Sequence, residues 1–282
     1  MRGTLAQVLS TRLGVAGTVV VILLLAAATF GPSLAPHNPV EVNLAARLTP
    51  PTPGGDGKPA HWLGTDQLGR DILSRILHAA RVTVGISLTA VAVTAALGVT
   101  LGLVAGFYRG AIDNVLMRIV DVQLAFPTIL LAITMVAVLG RGIGILILVF
   151  VIAEWVRYVR VIRAQVLVVR EMQYVEAARA TGAPDRRILT AHIFKNVLTD
   201  IIILMNLEIG RIILLESSLS YLGLGVQPPM PTWGNMVNEG RLYLQTSWWV
   251  VTFPGLAIVL SVLGLNLFGE GLRGAYDPTG RE

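Results

Sequence analysis

Four ionisable residues stand inside or at the edge of long apolar runs: Glu154, Glu208, Arg211 and Glu216. A charge held at bilayer depth is costly, and it is kept where it pairs with another charge or serves a polar path. Glu208 and Arg211 are three residues apart, so on a helix they share a face and can form an ion pair. Two roles fit Glu208, Arg211 and Glu216: a salt bridge within or between subunits, or the lining of a translocation path. A second set lies outside the apolar runs, in GTDQLGRD (64–71). Gly64, Thr65, Asp66, Gly69 and Asp71 have turn chemistry, in which short carboxylates accept turn N–H groups. The Arg70 guanidinium can add a forked ion pair. A structural cap is the favoured role here, with contact to a substrate or binding protein as the alternative.

No catalytic pattern accompanies these groups. A phosphate-binding loop of the type GxxxxGK[ST] needs a lysine after glycine, and the two lysines, Lys58 and Lys195, sit in GKP and FKN. His37, His61, His78 and His192 form no HExxH and stand far apart in sequence, so no metal site is expected. Ser87 lies in GISLT, which is not the nucleophile pattern G-x-S-x-G. Cysteine is absent, which removes disulfides and thiolate ligands. The expectation is a chain that is not an enzyme and holds no cofactor of its own.

The elements that must position these residues are apolar. Of 282 residues, 54% are hydrophobic and 14% charged, with mean hydropathy +0.70; soluble domains carry about 25% charge. Six apolar stretches, near 13–34, 82–107, 124–139, 143–158, 197–215 and 248–268, approach the ~20 residues that cross a bilayer. Barrel strands are short and alternate, so the fold class is all-α: a polytopic membrane bundle of six transmembrane helices. The first stretch follows Arg2 and Arg12, as a signal peptide would. However, secretory apolar cores run about 7–15 residues, and the uncharged run from Leu13 to Phe30 is longer, which favours a retained helix. Lys and Arg accumulate on the cytoplasmic side. With the N-terminus cytoplasmic, thirteen of the 22 fall in inside regions and seven in outside ones. The formal charge of +5 thus reflects topology and is no nucleic-acid signal. The chain divides into an N-tail (1–12), a first span (13–34), a Pro- and Gly-rich outer loop (35–81), a core (82–269) containing a cytoplasmic loop (159–196), and a C-tail (270–282).

The loop carries its own structure. QVLVVREMQYVEAARAT (165–181) is made of good helix formers. Gly182 stops it by accepting the left-handed conformation past a helix end, and Pro184 suits the first turn of a second helix. Ala177 and Ala178 leave little bulk near the turn, so a partner surface can approach. A positive loop that only fixes topology is the plainer account of the same residues.

Glu176-Ala177-Ala178, followed after three residues by Gly182, resembles the EAA loop of ABC-importer permeases. HWLGTDQLGRDILSRILHAARV (61–82), ESSLSYLGLGVQPPMPTWGNMVNEGR (216–241) and the tail GLRGAYDP (271–278) resemble the C-type permease of dipeptide, oligopeptide and nickel importers. His192-Ile193-Phe194-Lys195-Asn196 is similar to the family's H-I-L-P-N. Phe194 and Lys195 depart from it, which removes the proline behind a kink into the fifth helix. The resemblance covers roughly 61–278. It implies a heterodimer with a B-type permease subunit, two ATP-binding subunits that hold ATP and magnesium, an external solute-binding protein and a peptide-like substrate. It also implies a multi-pass location in the cytoplasmic membrane of a prokaryote. Glu176, Ala177, Ala178, Gly182, Ala183, Pro184, Asp185 and His192 would then dock an ATPase as a coupling helix. Nickel chelates and glutathione-like compounds are alternative substrates, and a secondary transporter or channel working without ATP is the alternative class.

Two further patterns are physical. Gly98, Gly102 and Gly106 recur every four residues and let a neighbouring helix approach. Trp233, Trp248 and Trp249 look like an interfacial belt.

Overall fold

The structure is a computed structural model that describes residues 8–9, 11–54 and 60–276. Arg2, Lys58, Arg281 and the end of the expected C-tail lie outside the described residues. Thr11 caps the first helix, α1 (Arg12–Leu34), by accepting from Gly14 N–H at 3.1 Å. Asp71 caps α2 (Ile72–Tyr108) in the same way, through Ser74 N–H at 2.8 Å. Then follow α3 (Gly110–Leu124), α4 (Thr128–Leu139), α5 (Ile143–Val169), α6 (Gln173–Ala180), α7 (Phe194–Tyr221), α8 (Trp233–Gly240) and α9 (Trp249–Tyr276). Among the described residues there is no strand, only the isolated bridges Thr52–His61 and Thr65–Asp71.

Helices α1, α2 and α9 are long and apolar enough to cross a membrane. Helices α3 and α4 meet at 88° and pass that test only together. Alone, α4 has 12 residues and reaches about 18 Å of a core about 30 Å thick. Helices α5 and α7, with 27 and 28 residues, are long enough but carry several charges. Ile22, Leu23 and Phe30 on α1 are about 60% exposed, a face suited to lipid and unsuited to water. The molecule is a polytopic membrane bundle.

Several boundaries differ from the sequence expectation. Helix α2 starts at Ile72, ten residues before the expected second span, so the outer loop is shorter. The residues between the second and third expected stretches are mostly α3. The third stretch is broken at Ala125–Pro127, where proline disfavours helix in the residue before it. The helix expected over 165–181 is interrupted at Arg170–Met172 between α5 and α6, and the last helix runs on to Tyr276.

The glycine series is a packing seam. A Cβ on Gly98 would stand 2.5 Å from Tyr158 Cβ and 2.8 Å from the Trp155 carbonyl; one on Gly106 would stand 2.7 Å from Val166 Cβ. Small residues there bring α2 against α5 backbone to backbone. Gly98→Val is therefore expected to destabilise the protein by about 1–3 kcal/mol through overpacking, read as a lower melting temperature in detergent. Gly85→Val, where an added Cβ meets nothing within 4 Å, should leave it unchanged. Of the tryptophans, Trp248 is exposed, but Trp233 and Trp249 are buried. Their indole N–H groups donate to the carbonyls of Ile76 and Thr65, each at 3.2 Å. They are core anchors, which corrects the expected belt.

Candidate coupling loop and buried charge network

The segment between α5 and α7 is anchored at its base. Arg170 follows the last turn of α5 and donates to the carbonyls of Phe107 at 2.6 Å and Gly106 at 3.2 Å. It thereby satisfies orphan acceptors at the C-terminus of α2. Arg170 also pairs with Glu171 at 3.2 Å, and the Arg179 guanidinium lies 5.6 Å from the Phe107 ring centroid. Val175, Ile188 and Ile193 are fully buried among Tyr158, Ile162 and Val197.

At its tip, α6 ends in a Schellman turn. Gly182 N–H donates to Arg179 O at 2.9 Å, and Ala183 N–H donates to Ala178 O at 3.0 Å. These are the paired bonds of that motif with glycine just past the cap, and Gly182 has φ +76°. Ala178 and Ala183, the positions whose apolar contact accompanies the motif, both pack against the buried core. Pro184 is the cap of the following turn, one position earlier than expected. Asp185–Arg187 start that turn, and a wide π-type turn, Ile188–Ile193, carries the chain into α7. The chain enters α7 through this π turn without the family proline. Glu176, Ala177, Gly182, Pro184 and Asp185 are exposed, and Glu176 has no ion pair among the described residues. His192 is half-buried, with its ring centroid 6.3 Å from that of Tyr174; it ties the returning chain to α6.

Deeper in the bundle, Glu208 and Arg211 form the pair expected from their spacing, but only as part of a wider network. Their closest atoms are 4.0 Å apart. Each has a nearer partner on α5: Arg211 Nε bonds Glu154 Oε1 at 3.1 Å, and Arg157 Nε meets Glu208 Oε1 at 3.1 Å. Both glutamates are buried, while both arginine side chains are about 40% exposed. The network lies beside a cavity of about 50 Å³ reached by Gln123 and Phe126 from the α3–α4 bend. Gln123 accepts from the Trp155 indole at 2.8 Å, which fixes that bend to α5. Arg157 and Gln123 were missed in the sequence. The usable signal was an acid followed three residues later by arginine, once in each helix: EWVR and EIGR.

Glu216 stands apart from this network. It is fully buried, accepts from Ser220 Oγ at 2.6 Å, and has the Thr83 and Thr232 hydroxyls close by. It joins α7 to α2 and to the start of α8 and is not grouped with Glu208 and Arg211.

The motif 64–71 folds into the opposite end of the bundle. Asp66 accepts from Leu68 N–H at 2.8 Å and Arg70 N–H at 3.0 Å, and its second oxygen takes Arg70 Nε at 2.7 Å and Arg75. Arg70 and Arg75 both continue to Glu239 of α8, at 2.7 and 2.9 Å. Thr65 bonds the 46–49 turn, and Gly64 and Gly69 have positive φ. A Cβ on Gly69 would collide with the Asn43 carbonyl at 1.7 Å. Gly64, Thr65, Asp66, Gly69, Arg70 and Asp71 are all buried, so the motif is a structural cap. Glu239 and Arg75 complete it.

Residues 98–281 match the family described as the binding-protein-dependent transport system inner membrane component, from the first glycine of the seam through both charged regions. The chain belongs to this permease family. Residues 2–51 of this permease also match the N-terminal TM domain of oligopeptide transport permease C. It is 40% identical over 266 residues to the probable D,D-dipeptide transport system permease protein of Escherichia coli K12, covering 94% of this chain and 87% of that one. It is 41% identical over 262 residues to the di/tripeptide transport system permease protein of Pseudomonas aeruginosa, covering 93% and 86%. It is 46% identical over 219 residues to the glutathione transport system permease protein of Pectobacterium atrosepticum, covering 78% and 73%.

Proposed function

We propose that this permease is one transmembrane half of an ATP-driven importer for di- or oligopeptides. In this reading it sits in the cytoplasmic membrane with a B-type permease, two ATPase subunits and an external binding protein. The observation that carries it is the exposed Schellman turn at Gly182, mounted on buried anchors, in a chain of this permease family. ATP binding by the partner subunits moves the turn, and the turn rocks the helices that enclose the path. The chain supplies shape change and leaves hydrolysis to its partners. The match to a glutathione permease makes a glutathione-like peptide the second candidate cargo.

Contacts between loops support six crossings, counting α3 and α4 as one broken span, and the excess of Lys and Arg in the inner regions supports a cytoplasmic N-terminus. At one end the 61–75 segment meets α8 through Glu239, and Arg141 reaches Gln227 at 3.3 Å. At the other, Arg163 holds Asp113 in a forked pair, and Arg170 caps α2. Each group of contacts joins only segments assigned to the same side of the membrane. In the cysteine-free chain, Leu44→Cys is expected to react with an impermeant maleimide in intact cells, and Arg186→Cys only after permeabilisation. Labelling of position 186 in intact cells would reject this topology. Recruitment of ATPase subunits by the purified permease, assayed by pull-down, tests the function itself.

A further inference from the structure

Three metal-ligand side chains from separated stretches meet beside the start of α2: His37 just after α1, His61 on the Thr52 bridge, and Asp71 at the α2 cap. They face a cavity of about 90 Å³ whose wall also includes Asn38 and Glu41. His61 Nδ1 is 2.9 Å from Asp71 Oδ1, His37 Nδ1 is 3.7 Å from the same oxygen, and one ligand atom from each of the three residues lies within 4.8 Å of the others. The 3.7 Å separation is too long for a hydrogen bond. Two ligands on one tetrahedral ion, with bonds of about 2.0–2.1 Å, stand about 3.3 Å apart, between the two separations seen. The two separations to Asp71 need shifts of about 0.4 Å, and the widest separation in the trio, 4.8 Å, closes by about 1.5 Å when the His37 side chain swings toward the ion.

The surroundings favour this use. Asp71 and His61 are buried. Asp71 Oδ2 is already taken by the N–H and hydroxyl of Ser74, each at 2.8 Å, which fixes the carboxylate and turns Oδ1 to the imidazoles. The Ser74 hydroxyl in turn accepts from His37 N–H at 3.0 Å. Such outer-shell bonds hold ligands in place. His37 Nδ1 is buried and has no hydrogen-bond partner among the described residues.

We propose that His37, His61 and Asp71 form a binding site for one divalent transition-metal ion of the Zn²⁺ class, with a fourth position open to water on the Glu41 side. Two imidazoles and one carboxylate suit Zn²⁺, Co²⁺ or Ni²⁺ better than Mg²⁺ or Ca²⁺. The ion clips the loop after α1 and the Thr52–His61 turn to the head of α2. Separation in sequence hid the cluster, and this proposal departs from the sequence-based expectation of no metal site.

The test uses the full chain in detergent, purified through a tag free of histidine, with Co²⁺ and Zn²⁺ as probes. One equivalent of metal per chain is expected to survive desalting. Loss of outer-shell partners alone weakens metal sites about 10–100-fold, so His37→Gln, at a half-buried position, should weaken Zn²⁺ binding at least about 100-fold. His78→Gln should bind like the parent. His37→Cys supplies the only thiolate in the chain and should restore Co²⁺ binding with a new sulfur-to-cobalt charge-transfer band. The proposal is overturned if the parent retains no stoichiometric metal, if His37→Gln binds as tightly as the parent, or if His37→Cys shows no such band.

Discussion

Arg211→Ala is expected to destabilise the permease by about 3 kcal/mol. Removing one partner of a buried pair costs roughly 3–5 kcal/mol because the other charge is left uncompensated. The partly exposed Arg211 side chain puts the effect at the lower end. The stranded group is Glu154, bonded at 3.1 Å, and to a lesser degree Glu208 at 4.0 Å. This ordering makes a specific prediction. Glu154→Gln should rescue Arg211→Ala, and Glu208→Gln should rescue Arg157→Ala; the crossed combinations should rescue poorly. Thermal unfolding of the purified proteins measures all of these. Equal rescue of Arg211→Ala by both glutamate changes would show that the helices are not paired as described.

Gly182→Val is expected to leave the permease folded and inserted while it loses its ATPase. The position has φ +76°, which costs a residue with a side chain about 1–2 kcal/mol. An added Cβ would meet no other atom of the chain within 4 Å. The added volume therefore acts on whatever binds the turn. A loss of about 1.4 kcal/mol at that surface is tenfold in affinity, and substrate-stimulated hydrolysis in reconstituted vesicles should fall at least that far. Gly182→Ala separates the two contributions, because it carries the backbone cost with little of the bulk. Glu176→Lys reverses an exposed charge that has no ion pair among the described residues, so its effect should also fall on the partner. If Gly182→Val complexes keep full ATPase recruitment and full coupling, the turn is a topological anchor only.

What the sequence revealed depended on how local each signal was. Gly182 was readable because helix formers, a glycine and a proline follow in order, and the positive φ obeys that order. The four-residue glycine spacing likewise reports one face of one helix. Helix α3 was not readable. Asp113, Arg118 and Asp121 interrupt its apolar residues, and only the forked bond from Arg163 shows why it packs beside α5. The Glu208–Arg211 spacing identified the right face and a 4.0 Å ion pair but not the closer partners on α5, because Arg157 lay near the end of an expected span. His37, His61 and Asp71 share no local pattern, and only the return of the chain after α1 assembles them.

From Asp185 to Tyr221 the chain has no non-helical residue. Helix α7 alone has 28 residues, a rod about 42 Å long. Its far end is wedged by Glu216 and Ser220 against α2 and α8, and close-packed interiors yield little to compression. A tilt of about 5° about that end sweeps the other through about 4 Å. On the proposed function, the rod would act as a lever with its fulcrum at the end that Glu216 occupies. Just ahead of the rod lies the six-residue π turn at Ile188–Ile193, of a kind that is rare in helices and recurs at functional sites. On the proposed function, those six residues would set how much of a push at Gly182 reaches Glu208 and Arg211 along the rod.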